Sequence, residues 1–528
     1  MPRKPLSNVD TAWLRMEDPT NLMMISGVLV FGAPLDYERL KATLQHGLLR
    51  FDRFRQRVVQ PAMSRAYWED DPDLDLDYHL QRASLPPPGD QAALQDLASL
   101  LASTQLDFSR PLWQFHLVDN VDGGSALICR LHHCIGDGLA LVYVLLSLTS
   151  TEADEPWPTY QPEARRSTHS SLGRLLRPAR SVLTVTRQAA SAALQQAQAL
   201  REDPSHATDL AKTGAGAATA LARLVLRWPD PKTTFKGPLD VPKRAAWSAP
   251  IPLRDVKTIR KALGGTVNDV LLAAMSGGLR RYLEGRDQPV DGLNFRAVVP
   301  VNLRQPGTEH ELGNKFGLVF LSLPVGIADP VERLGELRRR MDGLKGSLEA
   351  PVAFGILNGI GLSPQPVQDL VVSIFGTKGT AVMTNVMGPP VPLYLAGAPL
   401  DSLMFWVPQS GHLGMGVSIL SYARRVWLGV ITDAGLVPDP ETIIAGFHTE
   451  LDQLLALARQ AAEQPSPQQL AAKLDEAQVA LDALAQVKAP AGASTTSPER
   501  CQALTQAGQP CRNRPLEGSS YCRVHQQS

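Results

Sequence analysis

The hydrophobic pattern changes period several times along the chain. SGVLVFG (26–32) is a short apolar run closed by glycine and predicts a strand, whereas YERLKATLQHGLLRF (37–51) spaces its apolar residues as a helix does. SALICRL (125–131) predicts a strand that runs into His132-His133. LALVYVLLSL (139–148) is apolar on every side, which predicts a buried helix. In the second half, VKTIRKAL (256–263) reads as a helix stopped by Gly264-Gly265. Thr266 and Asp269 then fit a capping box, and Val267, Val270, Leu271, Ala274, Met275, Gly278 and Leu279 follow the helical period behind it. FRAVVPVNL (295–303), LVFLSLPV (318–325), TAVMTNV (380–386) and VWLGVIT (426–432) predict strands.

Between these halves the pattern weakens. Residues 151–170 carry prolines and predict a linker. Residues 171–227 are rich in Ala, Leu and Arg and predict helix, broken near Glu202-Asp203-Pro204, and WPDPKTTFKGPLD (228–240) is a second connector. Near the C-terminus, Ser466-Pro467 marks a helix start, with Leu470, Leu474, Ala477, Leu481 and Leu484 on a narrow stripe. APAGASTTSP (489–498) is a flexible linker. The expected division is therefore 1–150, a crossover 151–244, 245–460, a helix and linker 461–498, and a small module 499–528.

Composition narrows the function. The 528 residues exceed one ordinary core, and 44% hydrophobic content is that of a globular protein. Charge balances at 52 basic and 52 acidic residues, so nothing points to nucleic acid as a partner of the large domains. No secretory signal and no apolar run of about 18 residues is visible. The reading is a cytoplasmic protein, with contact at the inner membrane face or a lipid-droplet surface left open. Five cysteines without a signal peptide fit a reducing compartment.

The candidate chemistry lies in His132-His133-Cys-Ile-Gly-Asp137-Gly138. Successive side chains at a strand end point to opposite faces, so the two histidines cannot share one role. Asp137 stands where a helix start favours a carboxylate, and Gly136 and Gly138 are expected to ease a tight turn. Such a mount suits an imidazole that takes a proton near neutral pH. Cys134 is a rival nucleophile, but nothing nearby lowers its pKa, and small buried cysteines are common. In the tail, Cys501, Cys511, Cys522 and His525 supply the three thiolates and one imidazole of a closed zinc site.

The histidine segment matches the HHxxxDG motif of the CoA-dependent acyltransferases. The chain more specifically resembles the bacterial wax ester synthase/diacylglycerol acyltransferase family, through PLSNVDTAWLRMED (5–18), FRQRVV (54–59), Pro111-Leu112-Trp113, VNDVLLA (267–273), VPVNLR (299–304), GNKFG (313–317) and TNVMGPP (384–390), in the family's order. The resemblance implies an α/β (α+β) fold of two chloramphenicol-acetyltransferase-like domains. It implies His133 as general base, His132 as support, and Asp137 as an orienting residue paired with an arginine, for which Arg55 matches best. Asn268, Thr384 and Asn385 are candidate oxyanion donors. Pro111, Leu112 and Trp113 are expected to border the substrate path. The apolar stretch 354–376 is expected to line an acyl tunnel or meet a membrane, and the basic stretch 172–188 to link domains or lie on a bilayer. The implied partners are acyl-CoA and a long-chain alcohol or diacylglycerol, with no cofactor for catalysis. Alternatives are another alcohol acceptor, a carrier-bound donor, or a non-catalytic lipid-binding scaffold.

Overall fold

The computed structural model describes residues 4–61, 65–154, 224, 226–305, 308, 312–409, 411–463, 474–482 and 500–525. Most of the expected linker and helical crossover at 155–223, including 172–188, lies outside the described residues, as do the helix start at 466–467 and the linker 489–498. Residues 1–461 form one compact unit and 462–528 a second.

The first unit is built on two sheets. One runs in the order Tyr394–Leu395, Ala398–Trp406, Met24–Phe31, Gly124–His132, Trp113–Val121, Leu80–Ser84. All its pairs are antiparallel except that of Leu80–Ser84 with Trp113–Val121. Gly124–His132 sits inside this sheet and is buried at every position, as its unbroken apolar run predicts. The strand Ala398–Trp406 comes from the far half of the chain, so this sheet is not built from residues 1–150 alone. The second sheet runs Phe316–Leu323, Phe295–Asn302, Ala381–Met387, Met415–Tyr422, Arg425–Asp433, Lys243–Trp247, with Ile251–Pro252 also paired to Arg425–Asp433. Lys4–Pro5, Tyr67–Asp70 and Gln56–Val59 form a small antiparallel sheet in that order.

Local chemistry explains the helices that flank the second sheet. Leu253–Leu263 ends where Gly264 and Gly265 take φ of 87° and 83°, a region open to glycine. Thr266 then accepts the Asp269 N–H while Asp269 accepts the Thr266 N–H, so both halves of the capping box close and Val267–Glu284 begins. The predicted apolar face of that helix is buried from Val270 onward, with Val267 half-buried at its start. Two expectations need adjusting. Residues 37–51 form a helix over Tyr37–Thr43 that widens into a π-turn at Leu44–Leu48. Gly138–Leu146 is only partly sealed, with Leu139 37% exposed.

Val267–Glu284 packs closely on Pro440–Glu463 at two glycines. A Cβ on Gly278 would lie 2.8 Å from the Phe447 nitrogen and 3.1 Å from the Ile443 carbonyl, both backbone atoms that cannot step aside. Gly278→Ala would ordinarily gain roughly 0.5–1 kcal/mol in a helix interior. Here it should instead destabilise by about 1–3 kcal/mol through overpacking, read as a fall in Tm with acyl-transfer activity retained at low temperature.

Candidate active site

The strand Gly124–His132 delivers the two histidines to different surroundings. The ring of His132 is fully buried, edge-on to Phe108, with its Nε2 3.4 Å from Glu17 Oε2. Its Nδ1 accepts the Cys134 N–H at 3.1 Å; burial lowers the ring's pKa, but the Cys134 and Glu17 side chains outweigh it and raise the value to about 10. His133 lies outside the strand and stacks face to face on Trp13, with ring centroids 4.1 Å apart and planes inclined by 15°. Phe316 is tilted against both rings, with centroids 5.6 Å from His133 and 5.9 Å from Trp13. Burial pushes the His133 pKa down to about 4, outweighing the raising pull of the Asp137 carboxylate. The ring is therefore neutral at neutral pH, and its Nδ1 is buried without a hydrogen-bond partner.

The backbone around the histidines is held from three directions. The His133 N–H donates to Met23 O at 2.7 Å, Asn314 Nδ2 donates to His133 O at 2.8 Å, and Arg53 donates to Cys134 O at 2.8 Å. Both side chains converge on the buried Asp10, which accepts from Asn314 at 2.8 Å and from Arg53 at 3.1 Å. Cys134 is buried; its backbone makes these two bonds, and its thiol lies against the His132 imidazole rather than facing the apolar cavity described below.

Asp137 acts as a hub. One carboxylate oxygen accepts the Ala140 N–H at 3.0 Å and caps the helix Gly138–Leu146. The other accepts the Lys315 N–H at 3.0 Å and a guanidinium nitrogen of Arg304. Arg304 also donates to the Gly313 carbonyl, and both charged side chains are almost wholly buried. Arg55, the expected partner of Asp137, instead reaches Asp52 at 2.7 Å and the Leu49 carbonyl, with its side chain 36% exposed. Its short helical turn, Asp52–Phe54, keeps that contact local. Gly136 and Gly138 take no positive φ, and a Cβ on either would meet only ordinary contacts, so the turn does not depend on glycine's freedom.

Other expected site residues lie elsewhere. Leu112 and Trp113 are wholly buried beneath the motif. The Leu112 carbonyl accepts the His132 N–H at 2.9 Å, and Pro111 takes a turn bond from Trp113. Trp113 stacks on His79 at 4.3 Å and donates its indole N–H to Phe54 O at 2.9 Å. This segment supports the motif from the core and does not border the apolar cavity described below, because its indole and backbone are spent on internal contacts. Asn385 donates to Asn268 at 2.8 Å, and Thr384 meets Ser418 at 2.9 Å. The described hydrogen bonds of these three run to one another and to Ser418, not to His133.

An apolar cavity of about 650 Å³, including its mouth, begins at Trp13. The stretch 354–376 forms the C-terminal part of Glu349–Ile360 and all of Gln365–Gly376. Ile356, Ile360, Val371, Val372 and Phe375 from these helices line the cavity, facing Val298 and Phe320 of the second sheet. Trp13 thus has one face on His133 and also forms cavity wall. The outer side of Gln365–Gly376 leaves Val367, Leu370 and Ile374 exposed. Among the described residues, no helix is long and apolar enough to cross a membrane. In the tail, Cys501, Cys511, Cys522 and His525 gather into a cluster able to hold a metal ion.

A motif histidine held at the end of a buried strand, against a tryptophan that also lines an apolar cavity, fits the acyltransferase class that the family matches show. The model of the wax ester synthase/diacylglycerol acyltransferase catalytic domain matches residues 6–271, and that of the family's C-terminal domain matches residues 312–455. The chain belongs to the wax ester synthase/diacylglycerol acyltransferase family. It is 26% identical over 464 residues to a Mycobacterium tuberculosis protein named "Probable diacyglycerol O-acyltransferase tgs1", covering 86% of this chain and 96% of that one. The solved wax ester synthase/diacylglycerol acyltransferase from Marinobacter aquaeolei VT8 matches with a TM-score of 0.60 at 22% identity, over 86% of this chain and 100% of that one. The first condensation domain of the calcium-dependent antibiotic synthetase has the same fold, with a TM-score of 0.57 at 15% identity over 86% of this chain and 97% of that one.

Sequence reasoning missed Arg304, Asn314, Asp10 and Trp13 as site residues, although each lies inside a segment that carried the family resemblance. The contrast with Arg55 is testable. Removing one member of a buried ion pair costs about 3–5 kcal/mol. Arg304→Met should lower stability by that amount in denaturant unfolding, whereas Arg55→Met should stay within about 0.5 kcal/mol.

Proposed function

We propose that the protein transfers a long-chain acyl group from acyl-CoA to the hydroxyl of a fatty alcohol or of diacylglycerol, with His133 as general base. The observation that carries this reading is the Trp13 contact, which links a neutral imidazole to an apolar cavity. Each methylene removed from water contributes roughly 0.8 kcal/mol, so such a wall favours a long hydrocarbon chain over a small polar acceptor.

In the proposed step the alcohol hydroxyl gives its proton to His133 as its oxygen attacks the thioester carbonyl. The carbon–sulfur bond then breaks, and the proton passes from His133 to the leaving CoA thiolate. No covalent enzyme intermediate and no cofactor enters this scheme. His132 and Asp137 act as positioning residues. His132 receives the Cys134 N–H, and Asp137 fixes the helix start behind the loop. The donor to the tetrahedral oxyanion is left among Asn268, Thr384 and Asn385, of which Asn385 has already committed one N–H to Asn268.

The exposed face of Gln365–Gly376 supports peripheral contact with a membrane or lipid-droplet surface, since the same helix lines the cavity on its other side. Leu370→Glu should then weaken cosedimentation with phosphatidylglycerol vesicles while leaving turnover of a short, soluble acyl-CoA unchanged.

Thiol release from palmitoyl-CoA, measured with hexadecanol, diacylglycerol or a short polar alcohol, tests the substrate class. Turnover with the first two and little with the third is expected; release that no acceptor stimulates would leave a lipid-binding scaffold instead. His133→Ala should lower kcat on the order of 10²–10⁴-fold. The base must be unprotonated, so activity should hold as pH falls past the ordinary histidine value of about 6.5 and decline only toward the depressed value. That value is about 4. An acid limb centred near the ordinary value would contradict the assignment.

A further inference from the structure

The C-terminal module inverts the usual distribution of apolar side chains. Leu504, Leu516, Tyr521 and Val524 are exposed at 61, 38, 45 and 68%. The buried side chains are Cys501, Cys511 and Cys522, with only Ala503 partly buried against them. Three thiols and an alanine cannot bury enough hydrocarbon to hold some 25 residues in one conformation. Yet the backbone is specifically folded. Cys501 N–H bonds Asn513 O at 2.9 Å, Gln502 N–H bonds Ser520 O at 3.0 Å, and Leu504 bridges Pro510. Something other than apolar burial must hold the centre of this module.

The side-chain geometry at that centre identifies it. All four ligand atoms lie within 4.8 Å of one another. Cys511 Sγ is 3.8 Å from Cys522 Sγ, and His525 Nδ1 is 3.6 Å from Cys501 Sγ and 3.4 Å from Cys522 Sγ. A tetrahedron with Zn–S of about 2.3 Å and Zn–N of about 2.0–2.1 Å has S···S edges of ~3.8 Å and S···N edges of ~3.5 Å. The thiols are free, and at this separation no disulfide joins them, since that bond is about 2.05 Å long.

We infer that Cys501, Cys511, Cys522 and His525 form a closed, structural zinc site in which the histidine binds through Nδ1. Four protein ligands leave no open position for substrate, which separates this site from a catalytic zinc. On binding, the three thiols release their protons and the imidazole binds in its neutral form. The backbone supports the assignment. His525 N–H bonds Cys522 O at 3.0 Å, closing the Cys-x-x-His turn that brings Nδ1 to the sulfurs. Cys522 N–H points at Cys501 Sγ at 3.1 Å, and Asn513 Nδ2 lies 3.7 Å from Cys522 Sγ, as donors to thiolates do.

The test uses the full-length protein purified under reducing conditions. Elemental analysis should find one zinc per chain that survives dialysis against EDTA, and cobalt(II) exchanged into the site should show the visible bands of a tetrahedral thiolate-rich complex. Cys511→Ser and His525→Ala should each lower zinc content at least tenfold, with cleavage by trypsin confined to the tail. His525→Cys should retain zinc as a four-thiolate site. Thiol release from acyl-CoA by each variant shows that the remaining chain is folded, and the metal readout does not depend on the proposed substrates. Wild-type protein that holds no zinc and gives no tetrahedral cobalt spectrum would overturn the inference. So would unchanged zinc content in both Cys511→Ser and His525→Ala.

Discussion

The buried ion pair between Asp137 and Arg304 is the constraint on which the site depends. The two residues lie 167 positions apart, one at the end of the motif loop and the other just past a strand of the second sheet. Burying two charges is costly, and their attraction offsets that cost only when the remaining polar atoms are also satisfied. Asp137 meets this condition with the Ala140 and Lys315 N–H groups, and a second guanidinium nitrogen of Arg304 donates to the Gly313 carbonyl. The pair therefore joins the motif loop to the second half of the chain at one point and in one geometry. Around it, Asp10, Arg53 and Asn314 pin the backbone carbonyls of His133 and Cys134. The imidazole inherits its position from these contacts.

Burial lowers the pKa of both histidines, and their partners set the two apart: Cys134 and Glu17 raise His132 to about 10, while His133 is left at about 4. His132 has an acceptor in Glu17 beside Nε2 and a backbone donor on Nδ1, so both ring nitrogens are orientated by the protein. His133 has aromatic faces in their place, and desolvation favours its neutral form. A strand end that turns two adjacent residues to opposite sides is enough to create this difference from two identical side chains.

Features governed by neighbours in sequence are legible in the sequence alone. The capping box at Thr266 and Asp269, the glycine stop at 264–265, the buried strand into His132 and the Asp137 cap all appear as read. The apolar stretch 354–376 does line a cavity with one face, while Val367, Leu370 and Ile374 on the other stay exposed. Contacts between distant residues were not legible. Arg304 and Arg55 both end or begin apolar strands, and nothing local distinguishes the one that crosses to Asp137. Trp113 and Trp13 are equally apolar in sequence; only the fold spends the first on His79 and Phe54 and sets the second between His133 and the cavity.

The strand Ala398–Trp406 pairs with Met24–Phe31 although some 370 residues of chain separate them. During synthesis, Met24–Phe31 emerges early and pairs on one side with Gly124–His132, but its other edge stays bare until the late strand arrives. An unpaired apolar edge is a template for association with other chains. Ribosome-bound or truncated forms that lack the late strand are thus the ones exposed to aggregation. Chaperone demand should concentrate on the interval in which the residues from about 150 to 400 are being made.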